Sequence, residues 1–448
     1  MKIPQTPPDH IQLLLKMAAE GATDKLLGAP PPVGTPGEYL HWDKLRRLPM
    51  PEGWTPEELW TAIKFKRGSA LKHIPLLDKK GMTFVYGVPD EVARQLHEID
   101  MGGGGAIGVA EPITNAQTRD QYVVQSLMQE AITSSQLEGA VTTREVAKEM
   151  IRTGREPRDK SERMIRNNFA TMRRIMEIRE QPLTRDLVFE IHRIVTEKAL
   201  DNASAAGRYR NAGETVAVED AYGEVFHNPP PAPELPGRMD AMCDFANGRT
   251  PDFFVHPAIR AIILHFWLAY DHPFVDGNGR TARALFYWSM LHHGYWLFEF
   301  ISISSILVQS PAKYAQSFLY TETDGNDLTY FIMHQADVIR RAIADLHAYI
   351  NRRTRELRET ESLLRSVTAL NHRQEALIGH ALRHPHARYT IEGHRLSHGV
   401  AYDTARNDLL GLQKQGFLEM KKSGKALVFF GVANLAEKVS SAAPSPRA

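Results

Sequence analysis

His272-Pro273-Phe274-Val275-Asp276-Gly277-Asn278-Gly279-Arg280-Thr281-Ala282-Arg283 is the stretch on which the reading of this chain turns. An apolar helical segment, residues 257–270, runs up to it, a loop opens at His272, and a second helix is expected from Gly279. Gly277 and Gly279 let backbone N–H groups approach an anion closely, and the helix N-terminus adds the positive end of its dipole. Arg280 and Arg283, three apart, share one face of that first turn. Two guanidinium forks beside a helix start suit a di- or triphosphate. Asp276 supplies a hard oxygen ligand for Mg²⁺, an ion commonly held by one or two carboxylates plus substrate phosphates. His272, at the loop entrance, is the group of this stretch able to take a proton near neutral pH. The set suits attack by a hydroxyl on a Mg²⁺-bound nucleotide phosphate.

Taken singly, each part has a plainer reading: a structural histidine, a capping aspartate, a Gly-Asn-Gly turn. Their joint occurrence points to phosphate chemistry. His256, His265 and His272 lack the i, i+4 spacing of helical zinc ligands.

Outward from the stretch, residues 117–347 show helical period nearly throughout, as in 122–137, 162–178, 184–199, 279–293 and 327–347. The exception is 215–226, where Val216, Val218, Val225 and Phe226 flank Tyr222-Gly223 as a hairpin closed by Pro229-Pro230-Pro231. Toward the N-terminus, residues 11–19 read as a short helix and Thr55-Pro56-Glu57-Glu58 as a helix start. Residues 82–86 read as a strand and 89–97 as a helix. Gly103, Gly105 and Gly108 match G-x-G-x-x-G, but a helical segment precedes them where a strand is needed, so 101–108 reads as a connector.

Beyond the charged run 351–358, a solvated helix extension, residues 372–383 and 401–415 are helical and 389–391 extended. Residues 417–420 and 426–430 form two strands around Ser423-Gly424. Helix, turn, helix and wing is a winged-helix layout. Between residues 366 and 432 nine Lys/Arg stand against five acids, a net +4, which makes duplex DNA a possible partner beside a protein target or a second subunit.

Composition sets the outer limits. The 448 residues imply about three domains. A chain 43% hydrophobic and 24% charged is neither disordered nor fibrous. Lys+Arg 54 against Asp+Glu 53 excludes a global polyanion binder. Cys243, the one cysteine, allows no internal disulfide and no cysteine-based zinc site. No apolar run reaches the ~18 residues of a membrane span, and the N-terminus has no signal-peptide core, so a cytoplasmic location is expected.

His272 to Arg283 matches every fixed position of the Fic motif, H-x-F-x-[D/E]-G-N-G-R-x-x-R, and the chain therefore resembles the Fic family. Gly207-Arg208-Tyr209-Arg210 resembles the family's G-x-[aromatic]-R segment, and the 216–226 hairpin its target-docking flap. Ser134-Ser135-Gln136-Leu137-Glu138-Gly139 resembles its inhibitory motif, [S/T]-x-x-x-E-[G/N]. The resemblance implies a mainly-α chain: an all-α Fic core with a β-hairpin flap, a small mixed N-terminal region and a C-terminal winged helix-turn-helix. It implies transfer of AMP from ATP to a Ser, Thr or Tyr hydroxyl of a target protein, self-modification included. His272 would be the base and Asp276 the Mg²⁺ ligand. Gly277, Asn278, Gly279 and Arg280 would bind the α- and β-phosphates, Arg283 the γ-phosphate, and Tyr314 would lie near the adenine. Glu138, with Ser134 and Gly139 beside it, would inhibit by pairing with Arg283. A nucleotide-sensing DNA-binding regulator and a de-AMPylase using the same site are the alternatives; a homodimer is compatible with either. The expected divisions are an extension 1–40, a small region and linker 41–112, the Fic domain 113–355, the winged helix 366–432 and a tail 433–448.

Overall fold

The computed structural model describes residues 2–32, 38–103, 116–219, 223–366, 370–383, 387–423 and 426–442. The chain divides into two compact units, Met1–Leu346 and His347–Ala448. The expected divisions at residues 40 and 112 fall inside the first.

The first unit begins with α1 (His10–Ala19), α2 (Thr23–Leu27), α3 (Trp42–Leu45) and α4 (Pro56–Gly68). The start of α4 is fixed by a capping box: the Glu58 N–H donates to Thr55 Oγ1 at 3.2 Å and the Thr55 N–H to Glu58 Oε2 at 2.9 Å. An antiparallel hairpin follows, β1 (Lys72–Leu77) and β2 (Thr83–Tyr86), and then α5 (Asp90–Gly103). The sequence reading saw only the second strand, because Pro75 breaks the pattern of the first; β1 is an edge strand, where a missing N–H is tolerated. The connector expected from Met101 onward is helical through Gly103. Gly102 is small for a reason: a Cβ there would lie 2.8 Å from Ile343 Cγ2. Gly105 and Gly108 lie outside the described residues.

Helices α6 (Ala116–Leu137), α7 (Arg144–Thr153), α8 (Lys160–Ile178) and α9 (Arg185–Thr196) lead to the short hairpin β3 (Val218–Glu219) and β4 (Val225–His227), whose expected tip at Tyr222 lies outside the described residues. Then come α10 (Leu235–Ala246), α11 (Pro257–Asp271) and α12 (Asn278–His292). Nearly every residue of α11 is buried, as expected of a helix apolar on all sides. It packs side by side with α12 at the centre, with α8 and α9 across α12 and α10 across α11. Trp267, Trp288, Phe266, Phe286 and Tyr287 fill that core. The turn α13 (Ser304–Leu307), α14 (Pro311–Thr323) and the long α15 (Thr329–Ser366), which belongs to this unit as far as Leu346, complete the helical set. The mainly-α architecture anticipated from the periodicity is the one observed. A buried ion pair, Lys64 Nζ to Asp324 Oδ1 at 3.0 Å, ties α4 to the α14–α15 turn, and Tyr39 donates to Asp327 Oδ2 at 2.6 Å.

The second unit holds α16 (His372–Arg383), β5 (Tyr389–Thr390), α17 (Ile391–His398), α18 (Tyr402–Lys414), β6 (Leu418–Ser423), β7 (Ala426–Gly431) and α19 (Leu435–Ala442). Its antiparallel sheet has the order β5-β7-β6. The buried Asp408 of α18 accepts from Arg373 Nε at 2.7 Å and Asn371 Nδ2 at 2.8 Å, clamping α16 to α18. The tail expected from residue 433 is instead helical from Leu435, because Leu435 and Val439 bury themselves in the core of this unit; residues 443–448 lie outside the described residues. Among the described residues no helix is long and apolar enough to cross a membrane.

Candidate active site

The loop between α11 and α12 gathers His272, Asp276, Gly277, Asn278 and Gly279. Helix α11 ends on a left-handed turn at His272 (φ 45°, ψ 57°), where the His272 N–H still donates to the Leu268 carbonyl at 3.0 Å. Its Nδ1 lies 3.3 Å from the Ala269 carbonyl. A carbonyl only accepts, so Nδ1 carries the proton and Nε2 keeps its lone pair. Burial pushes the imidazole down to about 4, so it is neutral, and basic at Nε2, at pH 7.

The rest of the loop is braced from outside. Arg210 Nε donates to the His272 carbonyl at 2.9 Å, the Arg210 N–H to the Pro273 carbonyl at 2.9 Å, and Nη2 to the Pro230 carbonyl. His192 of α9 stacks on Phe274, centroids 3.7 Å apart, and its Nε2 meets the Asp276 carbonyl at 2.9 Å while Nδ1 accepts from the Gly207 N–H at 2.9 Å. Burial lowers His192 to about 4, which keeps this tautomer neutral and fixed. Gly277 (φ 85°) has no room for a side chain, since a Cβ would lie 2.8 Å from Thr196 Cγ2.

The expected phosphate groups divide in two. Asn278 spends its side chain closing the loop: Oδ1 accepts from the Phe274 N–H at 3.0 Å and Nδ2 donates to the Phe274 carbonyl at 2.8 Å. Arg280 is buried, with Nη1 on the Val195 carbonyl at 3.2 Å and Nη2 3.4 Å from Asp276 Oδ1. These two residues and Gly279 offer a ligand the first-turn backbone N–H groups, which a helix leaves without intrahelical partners, and Arg280 also keeps a buried Nε with no partner among the described residues. Arg283 differs. Its buried guanidinium lies beneath that turn, Nε on Ser134 Oγ at 2.8 Å and Nη2 on the Ser134 carbonyl at 2.9 Å.

Glu138 completes the arrangement. It sits just past the end of α6, where Gly139 (φ 87°) stops the helix, and its Oε1 lies 2.8 Å from Arg283 Nη2. A Cβ built on Gly279 would lie 3.0 Å from Glu138 Cδ and 3.2 Å from Arg283 Nη1. The carboxylate therefore lies over the bare backbone of the α12 first turn, in the notch an anion would take. Burial works against charge on Arg283, but Glu138, Tyr314 and Glu130 together outweigh it and hold the guanidinium above its ordinary range.

Tyr314 of α14 is also here. Its hydroxyl lies 2.8 Å from His265 Nε2, its ring packs on Phe318, and burial pushes the phenol up to about 12 with Arg283 pulling the other way. Asp276 is half exposed at the mouth of the notch. Among the described residues no three metal-ligating side chains cluster, so a metal held by the protein alone has no cage here. One carboxylate beside an anion notch fits Mg²⁺, which takes its remaining ligands from phosphate and water.

Sequence reasoning did not single out His192, Asp271, Arg238 or His227. Asp271, one residue before His272, is buried with Oδ1 on Arg238 Nε at 2.7 Å and Oδ2 on Trp267 Nε1 at 3.1 Å. Arg238 also donates to the Leu77 carbonyl at the end of β1. These partners are scattered along the chain, and nothing in their spacing signals them.

Residues 182–290 match the Fic/DOC family. A "Protein adenylyltransferase Fic" of Nematostella vectensis is 39% identical over 107 residues, 24% of this chain and 22% of that protein. A "Uridine 5'-monophosphate transferase" of Xanthomonas campestris pv. campestris (strain 8004) is 30% identical over 119 residues, 25% of this chain and 22% of that protein. The chain spans about a fifth of the length of these relatives. In fold it is similar to the crystal structure of a Fic family protein from Desulfovibrio desulfuricans G20, with TM-score 0.54 and 18% identity over 78% of this chain and 98% of that one.

Proposed function

We propose that this chain, which carries a Fic domain, transfers AMP from ATP to a hydroxyl of a protein target. The observation that carries this reading is His272 held with Nδ1 protonated and Nε2 basic at the lip of an anion notch floored by Arg283. In the reaction, Nε2 takes the proton of the incoming hydroxyl. The hydroxyl oxygen forms a bond to the α-phosphorus, the bond from that phosphorus to the bridging oxygen breaks, and pyrophosphate leaves. The backbone N–H groups of Asn278, Gly279 and Arg280 hold the α- and β-phosphates at the helix start. Arg283 holds the γ-phosphate, and Tyr314 walls the site on the adenine side. Asp276 would hold Mg²⁺, which when bound neutralises phosphate charge. Gly277 and the Asn278 side chain keep the loop in shape.

Glu138 makes the site self-inhibited. Its carboxylate occupies the notch and the Arg283 guanidinium that a γ-phosphate needs, with Ser134 and Gly139 fixing its approach. A pure nucleotide sensor would have no use for a base with a set tautomer, which favours catalysis. The likeness to a uridylyl transferase makes the base a matter for assay: labelled ATP and UTP, offered in parallel to the full chain, test the assignment, and preferential incorporation from UTP overturns it.

The second unit is read as a winged helix. Tyr402, Arg406, Asn407 and Lys414 are exposed on α18, and Lys421 and Lys422 on β6, a basic surface suited to duplex DNA.

A further inference from the structure

His227 ends β4 and is buried against the last turn of α11. Its Nε2 lies 2.7 Å from the Tyr270 carbonyl, two residues before His272, and its Nδ1 lies 2.8 Å from Glu322 Oε2 on α14. Both partners are acceptors: a carbonyl only accepts, and so does an ionised carboxylate. The ring therefore reaches the α11 turn through one nitrogen and α14 through the other.

The surroundings leave Glu322 as its counter-charge. The ring packs on Tyr270, centroids 4.7 Å apart. Asp271 faces the same pocket from α11, but its carboxylate is already taken by Arg238 of α10 and by Trp267. His272 is the other titratable neighbour, and a charge on His227 works against a charge on His272. Arg210 reinforces the junction, bridging the Pro230 carbonyl just after β4 to the His272 carbonyl.

We propose that His227 is a positioning residue: bridging Tyr270 and Glu322 through its two ring nitrogens, it fastens the base of the β3–β4 hairpin to the turn that carries His272. The assignment rests on the reading of His272 as the base. Removing the ring nitrogens breaks both ties, and the turn and hairpin loosen together. The reacting hydroxyl must meet both His272 and the α-phosphate, and misplacement by about 1 Å costs on the order of 10²-fold in rate. Partial loosening is expected to cost about 10-fold, in kcat and not in the KM for ATP.

The experiment uses the full chain in a Glu138→Gly background and records the kcat of AMP incorporation and the KM for ATP. His227→Phe, which keeps a ring and removes both ties, should lose about 10-fold in kcat with the KM for ATP unchanged. Glu322→Ala removes one tie and should lose less, again in kcat alone. A His227→Phe kcat equal to the parent's, or a loss that falls wholly on the KM for ATP, overturns the proposal. Hydrogen exchange gives a readout free of activity: the amides of Val225–His227 and of His272 should exchange faster together in His227→Phe, and unchanged exchange at both places overturns the tie. If the parent transfers no AMP, the enzymatic reading fails, and the exchange result still judges the tie.

Discussion

Replacing Glu138 with glycine is expected to turn a nearly silent protein into an active one. In the resting chain Arg283 Nη2 donates to Glu138 Oε1 at 2.8 Å, while Ser134 holds the same guanidinium through Oγ and its carbonyl. A γ-phosphate entering the notch must displace the carboxylate and break one charge-assisted hydrogen bond, worth about 1.5–3 kcal/mol. At about 1.4 kcal/mol per factor of ten, that is roughly 10- to 10²-fold in productive nucleotide binding. The two Ser134 contacts remain in the variant, so Arg283 stays in place and ready. Glycine is preferable to glutamine, whose amide oxygen can still accept from Arg283. The assay is the initial rate of incorporation from α-labelled ATP at saturating Mg²⁺ and ATP, with ATP affinity measured by calorimetry alongside. Glu138→Gly should exceed wild type by at least about 10-fold in rate or affinity. Equal rates and equal affinities in the two proteins refute the inhibitory role of Glu138.

Three further outcomes are expected. His272→Ala should lose about 10²–10⁴ in transfer rate while ATP binding, measured by calorimetry, is largely retained; in the parent the rate should rise with pH as the imidazole, held at about 4, becomes neutral, and level off before pH 7. Arg238→Met strands the buried Asp271 carboxylate and should cost about 3–5 kcal/mol of stability in thermal denaturation. Burial already raises Asp271 to about 6 against the pull of Arg238, so this loss should be greatest above pH 6 and shrink at pH 4, where the carboxyl is neutral. Arg406→Glu should weaken gel shifts of duplex DNA by the full chain, and wild-type binding should fall steeply with salt; absence of any shift at low salt moves the second unit to protein recruitment.

Much of the proposed site was legible because it is contiguous: one stretch of twelve residues, His272 to Arg283, carries the proposed base, the proposed metal-binding carboxylate and the anion notch. Glu138 was legible at a distance through the resemblance of Ser134 to Gly139 to the Fic inhibitory motif; the spacing and the following glycine alone mark a helix end that carries a surface glutamate. What the sequence hid depends on three-dimensional closure. Asn278 and Arg280 read as phosphate ligands, yet packing turns their side chains onto Phe274 and Val195. His192 braces the loop from 80 residues upstream, and no local pattern announces a histidine that works by stacking. Strand β1 was missed because Pro75 weakens the alternation. Helix α19 was missed because Leu435 and Val439, only two apolar anchors, make a weak periodic signal until a core exists to receive them.

The central claim is that His272 directs AMP, and not phosphate, from ATP onto a protein hydroxyl. The most direct measurement incubates Glu138→Gly with Mg²⁺ and ATP labelled at either the α- or the γ-phosphate, with His272→Ala in the same background as control, and follows label on protein. The account predicts label from the α position alone, with pyrophosphate released and the control blank. Label from the γ position, or α label undiminished in the His272→Ala control, contradicts it.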